Sequence, residues 1–132
     1  NFKEIKDELL KYDYTFFSDS DTEVILKAYH KWGIQAINRF NGMFSIVIYD
    51  TKNDKLIFMR DRAGVKPLYY YWDEEIFLLS SELKSIHKVE YFKKELNKDS
   101  VALYFQYGYI PQPHTIFKNT YKLESGHYLT LD

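Results

Sequence analysis

The run Met43-Phe44-Ser45-Ile46-Val47-Ile48-Tyr49 leaves few folds open to this chain. It is rich in β-branched and aromatic residues and is apolar at both odd and even positions, so a strand formed here needs cover on both faces. The expected arrangement is a strand with a helical layer on one side and a second sheet on the other. More strands follow at Lys55–Arg60, Leu68–Trp72 and Ile76–Ser80, joined by Thr51-Lys52-Asn53-Asp54, by Asp61 to Pro67 and by Asp73-Glu74. Together with Met43–Asp50 they read as an antiparallel meander.

Helical periodicity flanks this block. Phe2, Ile5 and Leu9 make residues 2–12 an amphipathic helix ending near Asp13, with no capping residue before it, as in a helix cut from something longer. Tyr14 to Phe17 reads as a short aromatic strand. Ser20 and Glu23 have capping-box spacing, so a second helix should start there. Ile25, Ala28, Tyr29 and Trp32 share its apolar face, and Gly33 supplies a left-handed stop. A short helix follows over Ile34–Phe40, closed by the Asn41-Gly42 turn. Later, Ser81–His87 and Asn97–Tyr107 read as helices, the second because Val101, Tyr104 and Phe105 recur at i, i+3 and i+4. Ile110–Pro113 is expected to run extended, and Tyr128–Leu131 to form a last short strand. No internal repeat is visible.

Composition narrows the function classes. The chain has 132 residues, 45% of them hydrophobic, with 13 Tyr, 10 Phe and 2 Trp, enough for one core. Net charge is −1 and the signs do not segregate between halves, which argues against a nucleic-acid partner. The absence of cysteine removes disulfides, thiolate metal sites and a thiol nucleophile from these residues. No apolar run approaches the roughly 20 residues of a membrane helix, and the charged start is unlike a signal peptide, so the expected compartment is the cytoplasm.

Local chemistry is sparse. His30, His87, His114 and His127 are scattered without metal-ligand spacing. Ser125-Gly126-His127 lacks the context of a nucleophile elbow and reads as a turn. The loop Ala63-Gly64-Val65-Lys66-Pro67 has one glycine and no phosphate-binding pattern. Tyr69-Tyr70-Tyr71-Trp72 reads as core packing rather than a base-stacking platform. Asp21 stands out, because it opens a helix inside the acidic cluster Asp19-Asp21-Glu23 and could hold a cationic group. The plainer account is a first-turn acid complementing the helix dipole.

Longer motifs carry a family resemblance. Ser20-Asp21-Thr22-Glu23-Val24-Ile25-Leu26, Phe40-Asn41-Gly42-Met43-Phe44-Ser45, Arg60-Asp61-Arg62-Ala63-Gly64-Val65-Lys66-Pro67-Leu68-Tyr69-Tyr70 and Ser80-Ser81-Glu82-Leu83-Lys84 resemble the class II glutamine amidotransferase domain. Gly108-Tyr109-Ile110-Pro111-Gln112-Pro113-His114-Thr115-Ile116-Phe117, with Lys122-Leu123 and Gly126-His127-Tyr128-Leu129, resembles the glutamine-hydrolysing asparagine synthetases in particular.

The resemblance implies an α+β fold, the N-terminal-nucleophile hydrolase αββα sandwich with antiparallel sheets, here incomplete. It also implies a first-residue cysteine whose thiolate attacks the side-chain amide of L-glutamine, with the α-amine as base and a backbone amide and an Asn side chain holding the oxyanion. The ammonia would travel to a synthetase domain of the same polypeptide, where ATP and magnesium activate aspartate. Residue by residue, Asp21 matches the position that pairs with the glutamine α-ammonium, with Glu23 capping and orienting its turn. Arg60, Asp61 and Arg62 match a structural turn network.

Asn1 matches the last Asn of the family's Asn-Gly-Glu-Ile-Tyr-Asn segment, so the nucleophile and oxyanion residues are expected upstream. The expectation is therefore a fragment, inactive alone: residues 1–108 as the C-terminal portion of the amidotransferase domain and 109–132 as its end, leading toward a linker. It holds no catalytic residue, metal or cofactor, with ATP and Mg assigned to the absent synthetase domain. A degenerate glutamine-binding or assembly domain, an amidotransferase with a non-aspartate acceptor, and a homodimer are the alternatives.

Overall fold

The computed structural model describes residues 1–132, which divide into two compact units, Asn1–Gly42 and Met43–Asp132. The second unit runs through residues 108 and 109 without dividing there.

The first unit is helical. Helix α1 (Phe2–Leu10) buries Ile5 and Leu9, and α2 (Asp21–Trp32) packs against it with Val24 and Ala28 buried. A 3₁₀ helix, Gly33–Arg39, follows α2 directly, so the short helix expected from Ile34 is tighter and begins one residue earlier. Gly33 has φ 58° but ψ −144°, a turn of direction rather than the expected left-handed stop. Asn1 does not cap α1 with its side chain. Its amide instead donates to the Arg39 carbonyl at 3.0 Å and accepts from the Asn41 N–H at 2.8 Å. The expected strand over Tyr14–Phe17 is absent, because side chains of α2, described below, take the polar groups that a neighbouring strand would have used.

The second unit is all strands up to Ser80, but not a meander. β1 (Ser45–Asp50) pairs antiparallel with β2 (Lys55–Arg60), and β3 (Tyr69–Trp72) with β4 (Phe77–Ser80). The chain then completes two separate three-stranded sheets, β1-β2-β6 and β4-β3-β5, using β5 (Thr120–Lys122) and β6 (Tyr128–Leu131). Residues 61–67 carry the chain from one sheet to the other instead of returning it beside β2. Phe58, Leu68 and Leu123 are buried between the sheets, with Leu56, Leu129 and Leu131 from one and Phe77 and Leu79 from the other packed around them. Sheet pairing follows the pleat, so the opposite face of β3 builds a second core. There Tyr71, Ile86 and Phe92 are buried, beneath the one-turn helix α3 (Leu83–Ile86), shorter than the expected Ser81–His87.

β1 corrects the opening expectation. It is an edge strand, and its two faces differ: Ile48 is 4% exposed, whereas Val47 and Tyr49 are 46% and 57% exposed. Val47 lies opposite Phe58 and shares its face. The facing sheet covers Phe58 but stops short of β1, leaving an apolar ledge.

α4 (Lys98–Tyr107) matches the expected helix, with Asn97 Oδ1 capping the N–H groups of Asp99 and Ser100 and Gly108 (φ 77°, ψ 0°) stopping it. Ile110–Pro113 turns rather than running extended, closed by the His114 N–H donating to the Pro111 carbonyl at 3.0 Å. No helix is long and apolar enough to cross a membrane.

Candidate functional site

Asp21 is the first residue of α2. Ser20 adopts the extended conformation of an N-cap and its hydroxyl accepts from the Thr22 N–H at 3.2 Å. Glu23 does not return that contact to Ser20, so the capping box is half formed. The Glu23 carboxylate reaches further back, accepting from the Phe17 N–H at 3.0 Å, the Ser18 N–H at 2.8 Å and the Ser18 hydroxyl at 2.7 Å. Lys27, one turn along α2, sits 2.6 Å from the same carboxylate and also donates to the Thr15 carbonyl. Lys6 closes the other side, donating to the Ser18 carbonyl at 3.1 Å and to Asp19 at 2.7 Å. Both ammonium groups lie over the Phe16 ring, at 4.4 Å for Lys27 and 5.1 Å for Lys6. Residues 15–19 are thus folded onto the start of α2 by side chains.

These contacts sort the three acids of the cluster. Lys27 first, then the Ser18 hydroxyl and the Phe17 N–H, hold the Glu23 carboxyl down to about 2. The Lys6 hydrogen bond lowers Asp19. Asp21 has no cationic partner in the chain; its nearest polar contact is the Thr22 hydroxyl at 3.5 Å, and it is exposed. A first-turn carboxylate left open while both neighbours are neutralised can accept an ammonium group from outside.

The second conspicuous cluster is structural. Asp61 is fully buried, and its carboxylate accepts from the N–H groups of Phe44 (3.3 Å), Val65 (3.0 Å) and Lys66 (3.0 Å). Burial alone would raise its proton affinity, but the N–H groups of Lys66, Val65, Phe44 and Ala63 together reverse that and lower it. Arg60 donates only to neutral acceptors: the carbonyls of Lys66 (2.8 Å), Gly64 (2.6 Å) and Leu123, and the Gln112 side chain (3.2 Å). This is the bracing network expected of the 60–62 motif, and it ties residues 61–67 to the turn at Ser125-Gly126, where the Gly126 N–H donates to the Asp61 carbonyl at 2.9 Å.

Two of the four histidines have side-chain hydrogen-bond partners and a third is packed among rings. His30 Nδ1 meets the Tyr14 hydroxyl at 2.6 Å, His127 Nδ1 the Ser125 carbonyl at 2.9 Å, and His87 packs between Phe92 and Phe117. No group of three or more His, Asp or Glu side chains is arranged to hold a metal ion. Sequence reasoning missed the reach of Glu23 and Lys27 back to residues 15–18, and it gave the 60–62 turn network without the set of N–H groups that converge on the buried Asp61 carboxylate. Only the i, i+4 spacing of Glu23 and Lys27 hinted at the first.

Residues 1–132 match the family described as "Glutamine amidotransferase domain" over their whole length. The chain belongs to that family. Several of its relatives are glutamine-hydrolysing asparagine synthetases by name. A putative asparagine synthetase [glutamine-hydrolyzing] 2 of Methanocaldococcus jannaschii is 48% identical over 134 residues, covering 100% of this chain and 25% of the relative. Asparagine synthetase [glutamine-hydrolyzing] 1 of Bacillus subtilis is 35% identical, covering 99% of this chain and 21% of the relative. "Amidase chry2" of Gibberella zeae is 30% identical, covering 89% of this chain and 17% of its own length. The chain therefore spans about a quarter or less of the relatives it matches. Its helices and antiparallel sheets give the mixed α+β architecture expected for this amidotransferase domain.

Proposed function

We propose that these residues hold glutamine for an amidotransferase, with the Asp21 carboxylate pairing with the substrate α-ammonium. The single observation that supports this most is the division of labour among the three acids: Lys6 neutralises Asp19, Lys27 neutralises Glu23, and Asp21 is left for a ligand. Asp21 stands in the first turn of α2, where an acidic side chain complements the helix dipole. An ammonium on Asp21 fixes one end of glutamine and so orients the side-chain amide at the other.

Hydrolysis of that amide needs a nucleophile, and the 132 residues contain no cysteine. In this reading the thiolate comes from outside them, and the ammonia released passes to aspartate activated by ATP and magnesium in a synthetase region of a cytoplasmic enzyme. These residues by themselves hydrolyse no glutamine. One relative that shares this domain is named an amidase and not an asparagine synthetase, so the domain by itself does not fix the acceptor.

The test is Asp21→Ala in the native polypeptide. The Michaelis constant for glutamine should rise about 10- to 150-fold, the loss of one hydrogen bond to a charged group, about 1.5 to 3 kcal/mol, with ammonia-dependent synthesis unchanged. An unchanged constant assigns Asp21 to the helix dipole alone. Identifying the amidated product separates aspartate from another acceptor.

A further inference from the structure

Lys6 makes more contacts than a helix-surface lysine needs. It lies in the middle of α1, yet its ammonium donates to the Ser18 carbonyl at 3.1 Å and to Asp19 at 2.7 Å, and it sits 5.1 Å from the centre of the Phe16 ring. Its side chain is 22% exposed, whereas that of Asp19 is fully exposed. The carbonyl and the ring fix the cation, and the carboxylate comes to it. An ion pair with one member in open water adds little to stability. Its effect is on the local charge rather than on folding.

That charge stands beside the candidate glutamine site. Asp19 lies just outside the Ser20 N-cap, two residues from Asp21, and both acids are exposed. Without a cation of its own, Asp19 would offer the substrate α-ammonium a second anchor. Glutamine held there would carry its side-chain amide out of place, and a misplacement of about 1 Å can already cost roughly 100-fold in rate. Lys27 cannot substitute for Lys6, because it is committed to Glu23 and the Thr15 carbonyl. Lys3 acts on Asp19 less strongly than Lys6 does.

We propose that Lys6 is a positioning residue that withdraws Asp19 from the substrate, so that the α-ammonium of glutamine pairs with Asp21 alone. The inference rests on the assignment of Asp21 to that ammonium. It adds that the choice between two neighbouring exposed carboxylates is made from another helix, by a cation that touches no substrate.

The experiment measures glutamine hydrolysis by the native polypeptide and by its Lys6→Met variant, which keeps an unbranched stem and the helix propensity but not the charge. With Asp19 released, part of the bound glutamine is held unproductively. Both kcat and the Michaelis constant should then fall together, each about twofold if the two carboxylates hold the ammonium equally, with kcat/KM unchanged. A merely loosened segment would instead raise the Michaelis constant. Lys6→Arg should behave as the unmodified protein, and Lys6→Met combined with Asp19→Asn should recover both constants, because the competing charge is gone. An unchanged or raised Michaelis constant in Lys6→Met overturns the proposal, and so does a double variant no better than the single one. If Asp21→Ala raises the glutamine constant while Lys6→Met leaves it alone, the assignment of Asp21 stands without this role for Lys6. If Asp21→Ala leaves the constant unaltered, the assignment falls and the inference with it.

Discussion

Glu23 and Lys27 face each other at 2.6 Å one turn apart on α2, and each also grips the segment that leads into the helix, Glu23 through the N–H groups of Phe17 and Ser18 and Lys27 through the carbonyl of Thr15. An exposed i, i+4 pair contributes little to stability. This one instead fixes the shape of residues 15–18, and so the surroundings of Asp21.

Acid should release that segment. The folded Glu23 carboxyl is lowered from 4.5 to about 2, so its contribution is complete above 4.5 and is lost as pH falls from there toward 2. Amide exchange at Phe17 and Ser18 should quicken across that window, relative to buried amides of α1. Glu23→Gln should show the quickened exchange at neutral pH; equal protection in the variant would mean that the carboxylate is dispensable.

Removing the buried carboxylate at position 61 should be far more damaging than removing Asp21. Asp61→Ala strands four inward-pointing N–H donors, those of Phe44, Ala63, Val65 and Lys66. The loss should be on the order of 3 kcal/mol, read from the denaturant midpoint at constant slope. A change below about 0.5 kcal/mol would place that network outside the forces holding the two sheets.

Gly64 is required twice over. Its φ is +64°, and an added Cβ would lie 2.1 Å from Ser125 Oγ and 3.2 Å from Arg60. Gly64→Ala should cost about 2 kcal/mol or more, and Gly64→Ala with Ser125→Gly should recover the clash but keep the backbone part, about 1 kcal/mol. Strict additivity of the two single changes would show that the close approach to Ser125 is immaterial.

His87 should make stability fall on mild acidification. Its Nε2 is buried without a hydrogen-bond partner, its ring stacks on Phe92 at 5.4 Å and meets Phe117 edge-on at 4.5 Å, and burial, helped by Lys94, lowers its proton affinity below that of an ordinary histidine, 6.5. A His that resists protonation when folded lends its full stability above 6.5 and loses it as pH drops through the folded value. His87→Phe should abolish that part of the pH dependence and raise stability near pH 5, measured as the change in thermal midpoint against the unmodified protein.

What the sequence disclosed was local. β2 was legible to the residue because Lys55–Arg60 is bounded by a turn cluster on one side and an Arg-Asp loop on the other. That β2 and β3 belong to different sheets was not, since their separation depends on partners about 70 and 50 residues downstream, β6 and β5. The Tyr14–Phe17 strand failed for the same reason: its aromatic pattern is correct, but its polar groups are satisfied by side chains of a later helix. At the candidate site the position of Asp21 could be read from Ser20 and the helix that follows. That it alone of three acids lacks a cation could not, because Lys6 belongs to another helix.

The contacts that join Asn1 to Arg39 and Asn41 bring the two ends of the first helical unit side by side. Residues 1 and 39–41 are therefore the two feet of one loop, and the helices between them form a closed excursion of the chain. Unfastening that clasp with Asn1→Ala should quicken exchange at the Asn41 amide, which loses its acceptor.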